Sequence, residues 1–139
     1  MWLLWTILSG GETVIVDLGV KWHKKPQEHD YPAAEEFLTL FLPSNYAKTL
    51  VKKLKDKDMT SYYAKDILRV SQLPALGEDN RHVKHNLLKM KKGEELSPIL
   101  LVKDATSKKV FIVDGYHRLC AVYHYNEDIR IPCKIVSMN

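Results

Sequence analysis

The stretch Phe111-Ile112-Val113-Asp114-Gly115-Tyr116-His117-Arg118-Leu119-Cys120-Ala121 gathers the residue types best suited to chemistry. An apolar, β-branched run stops at Asp114-Gly115, and a helical pattern begins directly after it. A strand, a glycine turn and a helix start aim several backbone N–H groups at one point. The first amides of a helix lack internal acceptors, and the macrodipole puts about half a positive charge there. Such a terminus favours anions. Gly115 can bend sharply and approach a ligand closely because it has no Cβ. Arg118 carries a planar fork that can grip a phosphate through two hydrogen bonds. His117 can donate a hydrogen bond or act as a base near neutral pH. Asp114 would repel a phosphate unless a cation such as Mg²⁺ lay between them, or unless the carboxylate oriented or deprotonated an acceptor hydroxyl. The same Asp114 also reads as a cap of the turn, and the whole motif as a plain strand-to-helix turn with a surface arginine. On the phosphate reading, Arg118→Ala should abolish anion binding at little cost to the fold.

The elements that must hold this loop follow from hydrophobic pattern. Pro98–Lys103 and Val110–Val113 read as strands joined by a polar turn at Asp104–Lys109, hence antiparallel. Gly115–Tyr125 reads as loop and helix, with Leu119, Cys120, Val122 and Tyr123 inward, and Ile131–Val136 as a returning strand. That strand–helix–strand unit is expected to be a right-handed crossover. Upstream, Asn80–Lys92 reads as a helix with Val83, Leu87 and Met90 on one stripe and Gly93 as its stop.

Earlier still, Trp2–Leu8 and Thr13–Leu18 suggest a hairpin around Ser9-Gly10-Gly11-Glu12. Lys21–Asp30 reads as a polar connector, with His23 and His29 as solvated loop residues. Asp30 is expected to cap a helix over Pro32–Leu42, with Ala34, Phe37, Leu38 and Phe41 on one face. Ser44 should cap a second helix to Lys57, with Ala47, Leu50, Val51 and Leu54 inward and a solvated face of Lys48, Lys52, Lys53, Lys55 and Lys57 outward. Thr60 or Ser61 should cap a third helix through Leu68, with Lys65 and Asp66 as a local ion pair and Val70–Leu76 irregular or a short strand.

From about Ile67 to Val136 the chain resembles the ParB/sulfiredoxin-like superfamily. The resemblance rests on five segments in order: Ile67-Leu68-Arg69-Val70, the helix holding Asn80 to His85, Ser97-Pro98-Ile99-Leu100-Leu101-Val102, Val110 to Ala121, and Ile131-Pro132-Cys133-Lys134-Ile135-Val136. It implies an α+β fold, a small mixed sheet flanked by helices. Residues 1–59 would be an N-terminal extension packed on the same domain, and residues 60–139 the ParB/sulfiredoxin-like part. It implies a nucleotide, ATP or CTP with Mg²⁺, held at Gly115, Tyr116, His117 and Arg118. His82, His85 and Lys89, spaced along one face of their helix, stand where the sulfiredoxin pattern contributes polar contacts. Tyr116 stands where sulfiredoxins carry the catalytic cysteine, so their repair chemistry is excluded. ParB proteins add a helix-turn-helix domain, which is not expected here, so nucleic acid is an unsupported partner. The loop looks closest to the free-serine-kinase-like and small bacterial branches. The resemblance thus implies a phosphotransferase or nucleotide hydrolase acting through Asp114 and His117. It equally leaves open a non-catalytic nucleotide-sensing switch, or a relic loop in an interaction module.

Composition sets the outer limits. The chain has 139 residues, 45% hydrophobic and 27% charged, which suits one globular domain. A net charge of +4 suits an anionic partner. Cys120 and Cys133 make no disulfide framework and read as buried apolar residues, which fits a reducing cytoplasm. Trp2–Leu8 is too short to span a bilayer and has no basic flank of a signal peptide. A homo-oligomer is compatible with all of this.

Overall fold

A computed structural model of the chain describes residues 4–9, 12–17 and 19–138. The fold is α+β, built on a four-stranded sheet with helices on both faces. β1 (Leu4–Ser9) and β2 (Glu12–Asp17) pair antiparallel as the expected hairpin, with Ser9 opposite Glu12. The Gly10-Gly11 turn lies outside the described residues. β3 (Lys21–Trp22) falls inside the supposed connector and pairs parallel with β5 (Glu95–Leu96). Two-residue strands carry no periodicity, so nothing local announces them.

α1 spans Asp30–Leu38 and α2 spans Ser44–Asp56. Ala34 and Leu38 are buried as expected, while Phe37 and Phe41 remain 37% and 43% exposed. On α2 the stripe Ala47, Leu50, Val51 and Leu54 is buried, and the five lysines face solvent.

The next segment differs from expectation. Thr60–Tyr63 is a strand, β4, paired antiparallel with β8 (Arg130–Ser137), and α3 starts only at Ala64 and ends at Ser71. Two aromatic residues and a threonine favour an extended backbone, and a long-range partner supplies the ladder. Ile67–Val70, the first segment of the resemblance, therefore lies in a helix. Lys65 and Asp66 do not pair with each other: Lys65 reaches Asp128 at 2.6 Å and Asp66 binds Arg69 at 3.0 Å. Gln72, left-handed at φ 60°, closes α3.

α4 (Arg81–Lys91) begins on Asn80, whose side chain accepts from the amides of His82 and Val83. It ends on Gly93 at φ +74°, where Glu94 N–H bonds back to Lys89 O. β6 (Ile99–Asp104) and β7 (Lys109–Asp114) pair antiparallel, α5 runs Tyr116–Tyr125, and β8 returns parallel to β6.

The strand order is β4-β8-β6-β7. Since β7 opposes β6 and β8 follows it, β7 and β8 are antiparallel to each other and separated by β6. The handedness rule for parallel crossovers therefore does not govern β7–α5–β8. β6 divides the interior. Ile99 and Leu101 join a core with α3, α4 and α5, whereas Leu100 and Val102 join a second core with α1 and α2. Residues 30–56 thus cover one sheet face with their own apolar stripes.

Candidate functional site

β7 ends at Asp114 and α5 starts at Tyr116, with Gly115 between them at φ 106°, ψ 17°. A left-handed residue is needed here, and glycine meets that need without strain. Its missing Cβ also matters: a methyl there would lie 2.4 Å from Ile99 Cγ2 and 2.8 Å from Arg118 Nη2. The close approach that Gly115 permits is therefore to its own chain.

Arg118 does not present an open fork. Its Nη2 donates to Asp114 Oδ2 at 2.7 Å, and its Nη1 lies 3.8 Å from Asp30 Oδ1. The side chain is 18% exposed, and Nε is buried without a hydrogen-bond partner among the described residues. Asp30, 1% exposed, sits at the start of α1 and acts through tertiary contacts rather than as the helix cap. Its Oδ2 accepts from the buried Ser97 hydroxyl and from Gln27 N–H. Its other oxygen is 3.4 Å from His29 Nε2.

The loop is thus a compact ionic cluster of one guanidinium between two carboxylates, fed by three separate parts of the chain. Burial pushes the Asp114 carboxyl above the usual carboxylate range; Arg118 pulls it back in part, and Asp30 adds to the rise. Arg118→Ala would strand two inward carboxylates, so the expectation of an undisturbed fold is corrected.

Among the described residues no side chain caps the head of α5, and its first internal bond runs from Leu119 N–H to Gly115 O. His117 stands at that end with its ring centroid 4.7 Å from that of His82 in the first turn of α4. Two helix N-termini therefore converge, each carrying a histidine. Burial and the neighbouring His82 hold the His117 imidazole below its ordinary pKa, so it is the neutral form that this spot favours.

Tyr116 turns its hydroxyl to Pro74 O, donating at 2.5 Å, and so ties the loop to the segment after α3. His85 and Lys89 lie further along α4, His85 exposed and Lys89 half-buried. At about 1.5 Å per residue Lys89 is about 10 Å along the axis from His82. It can reach an extended ligand and not the loop itself.

Cys120 and Cys133 are both buried and free. Burial raises both thiols, Cys133 to about 12, which leaves them poor nucleophiles. No group of three or more metal-ligating side chains exists among the described residues. The charge of Asp114 is already answered by Arg118, so a protein-held Mg²⁺ does not fit this donor set. No helix among the described residues is long and apolar enough to cross a membrane.

Sequence reasoning missed Asp30 and Ser97 as site residues. They are 67 positions apart, and only the packing of α1 against the sheet brings them together. Comparison with family models, with curated proteins and with solved structures finds no match to this chain.

Proposed function

We propose that the chain binds a nucleotide through its phosphates at the head of α5, and that Asp114 serves there as proton acceptor for phosphoryl transfer or nucleotide hydrolysis. The observation that carries this reading is the uncapped start of α5 on a left-handed glycine, flanked by His117 and His82. Free amides and the helix dipole favour a phosphate oxygen, and two imidazoles beside them can donate further hydrogen bonds. The sequence resemblance to the ParB/sulfiredoxin-like superfamily points the same way, since its members bind nucleotides at this loop.

Asp114 then has a definite task. The hydroxyl of an acceptor, or a water, would pass its proton to the Asp114 carboxylate while its oxygen attacks phosphorus. The bond from phosphorus to the leaving phosphate breaks, and that group carries the electron pair away. A carboxylate whose affinity for protons is raised by burial is a better base than an exposed one. Arg118 and Asp30 are positioning residues: they fix the carboxylate and do not touch the phosphate. Mg²⁺ would arrive with the nucleotide rather than wait in the protein.

A non-catalytic switch is favoured by a different observation, the unpartnered Arg118 Nε. A ligand that drew the guanidinium outward would release Asp114 and Asp30 together and loosen α1. Thermal shift with ATP, CTP and GTP, each with and without Mg²⁺, tests both readings, and stabilisation by none of them would refute both. A nucleotide that stabilises the fold is then incubated with the protein and assayed for phosphate release. Turnover supports the enzyme, and binding without turnover supports the switch.

A further inference from the structure

Two histidines from different helices meet ring against ring. His82 stands in the first turn of α4 and His117 in the first turn of α5, with 4.7 Å between ring centroids and 48° between ring planes. At that distance the pair is one electrostatic unit, since a charge on one ring is felt by the other. Both rings also lie at the positive ends of their helix dipoles, where a cation is disfavoured. Asn80 occupies the amides of His82 and Val83, so α4 brings its imidazole to this spot and not its backbone.

The other charged and titratable groups around the pair are engaged or turned to solvent. On α5, Arg118 is taken by Asp114 and Asp30, and His124 is bonded to Leu76 O at the far end. The Tyr116 ring is 5.8 Å from that of His117, and its hydroxyl donates to Pro74 O. Before and along α4, Glu78, Asp79, Arg81, Lys84 and His85 are exposed. From α3, Asp66 binds Arg69 and Lys65 reaches Asp128; from β5, Glu95 lies 3.7 Å from His23. Burial and the neighbouring His82 therefore set the state of His117, and they hold its imidazole below the ordinary value of 6.5. Stability contributed by the neutral ring is full above 6.5 and is lost as the pH falls through the folded value. A dianion lying between the rings reverses this balance, because opposite charge close by favours the imidazolium.

We propose that His82 and His117 take up one proton between them when a doubly charged phosphoryl group binds, so that the site selects a terminal phosphate over a phosphodiester and holds it more tightly as the pH falls. This rests on the reading of the α5 head as a phosphate site and names the kind of phosphate it takes. The proton comes from solvent and ends on one imidazole ring; no covalent bond to the ligand is made. A terminal phosphate carries close to two negative charges at neutral pH, and these stabilise an imidazolium against the second ring and both helix ends. A diester phosphate carries one charge, and the head of α5 already answers about half of it. Beside a diester the rings stay neutral, and each donates one hydrogen bond. A free nucleotide meets this preference and a nucleic acid backbone does not.

Inorganic sulfate separates the protein's protons from the ligand's, because it stays a dianion across the range used. Titrated into the full chain and followed by the amide resonances of His117 and Leu119, sulfate should bind about tenfold more tightly at pH 6 than at pH 8. Dimethyl phosphate, a permanent monoanion, should bind more weakly and with little dependence on pH. The ring resonances should show one of the two histidines titrating at higher pH with sulfate than without it. His82→Gln, a change at an exposed residue, should flatten the sulfate slope. Equal sulfate affinity at both pH values, or ring titrations that sulfate does not move, overturns the proposal and leaves the phosphate site standing. A slope unchanged in His82→Gln overturns it too, since the pair is then not the unit. Dimethyl phosphate bound as tightly as sulfate refutes the selection. No binding of sulfate, dimethyl phosphate or ADP removes the site reading and this inference together.

Discussion

Arg118 shows how a residue's partners decide what it can do. In isolation its planar guanidinium suggests a grip on phosphate. In place it is shared between Asp114 and Asp30, with most of its surface covered. Breaking a buried ion pair leaves an uncompensated charge and costs about 3 kcal/mol or more. Arg118→Ala should therefore lower stability by about 3 kcal/mol at neutral pH in urea denaturation, and part of that loss should return in acid as Asp114 is protonated. Asp114 itself predicts a pH slope. Its folded pKa lies above the unfolded value of 3.8, so the folded state binds the extra proton between those two values. Stability contributed by the neutral carboxyl is full below 3.8 and is lost as pH rises through the folded pKa. Wild type should thus lose stability relative to Asp114→Asn across that window, and parallel stability–pH curves for the two proteins would refute the assignment.

At the scale of elements, the strand-to-helix turn is the part that depends most on one residue. Gly115 is both left-handed and in contact with Ile99, so Gly115→Ala adds backbone strain and a clash at once. The expected cost is about 2 kcal/mol or more, read as a lower denaturation midpoint. This turn was legible in the sequence because its signals are local: a β-branched run, a glycine, then helical spacing. The stripes of α2 and α4 and the unbroken Ile99–Val102 run were legible for the same reason. β4 was not. Thr60-Ser61 resembles a helix cap, and its strand character comes from Arg130–Cys133, which are close only after folding. Asp30 was misread for a related reason. An aspartate two residues before Pro32 looks like a local cap, and its contacts with Ser97 and Arg118 depend on the packing of α1 on the sheet. The spacing could locate the loop, but it could not tell an open guanidinium from one already paired.

For the molecule as a whole, β6 is the shared wall of two cores. Ile99 and Leu101 serve one, Leu100 and Val102 the other. Damage to either core should therefore spread through the sheet. Leu50→Ala, in the α2 stripe and fully buried, should cost about 3 kcal/mol. Near- and far-ultraviolet circular dichroism should still show one coincident thermal transition, whereas two separate transitions would mean that residues 30–56 fold apart from the rest.

The irregular register beside Leu100 has a consequence of its own. Asp114 pairs with Leu100, yet Leu101 pairs with Ile112, so Val113 is one residue more than the ladder requires. Because strand side chains alternate, inserting or removing a single residue turns everything downstream to the opposite surface. A bulge is the exception: removing Val113 would leave Asp114 opposite Leu100 in a regular ladder, still on the side of α1, and would take away only the local kink and one contact of the second core. In this chain the acidic group is therefore buffered against the loss of that one residue, whereas an added residue with no bulge to absorb it would turn the carboxylate to the far surface.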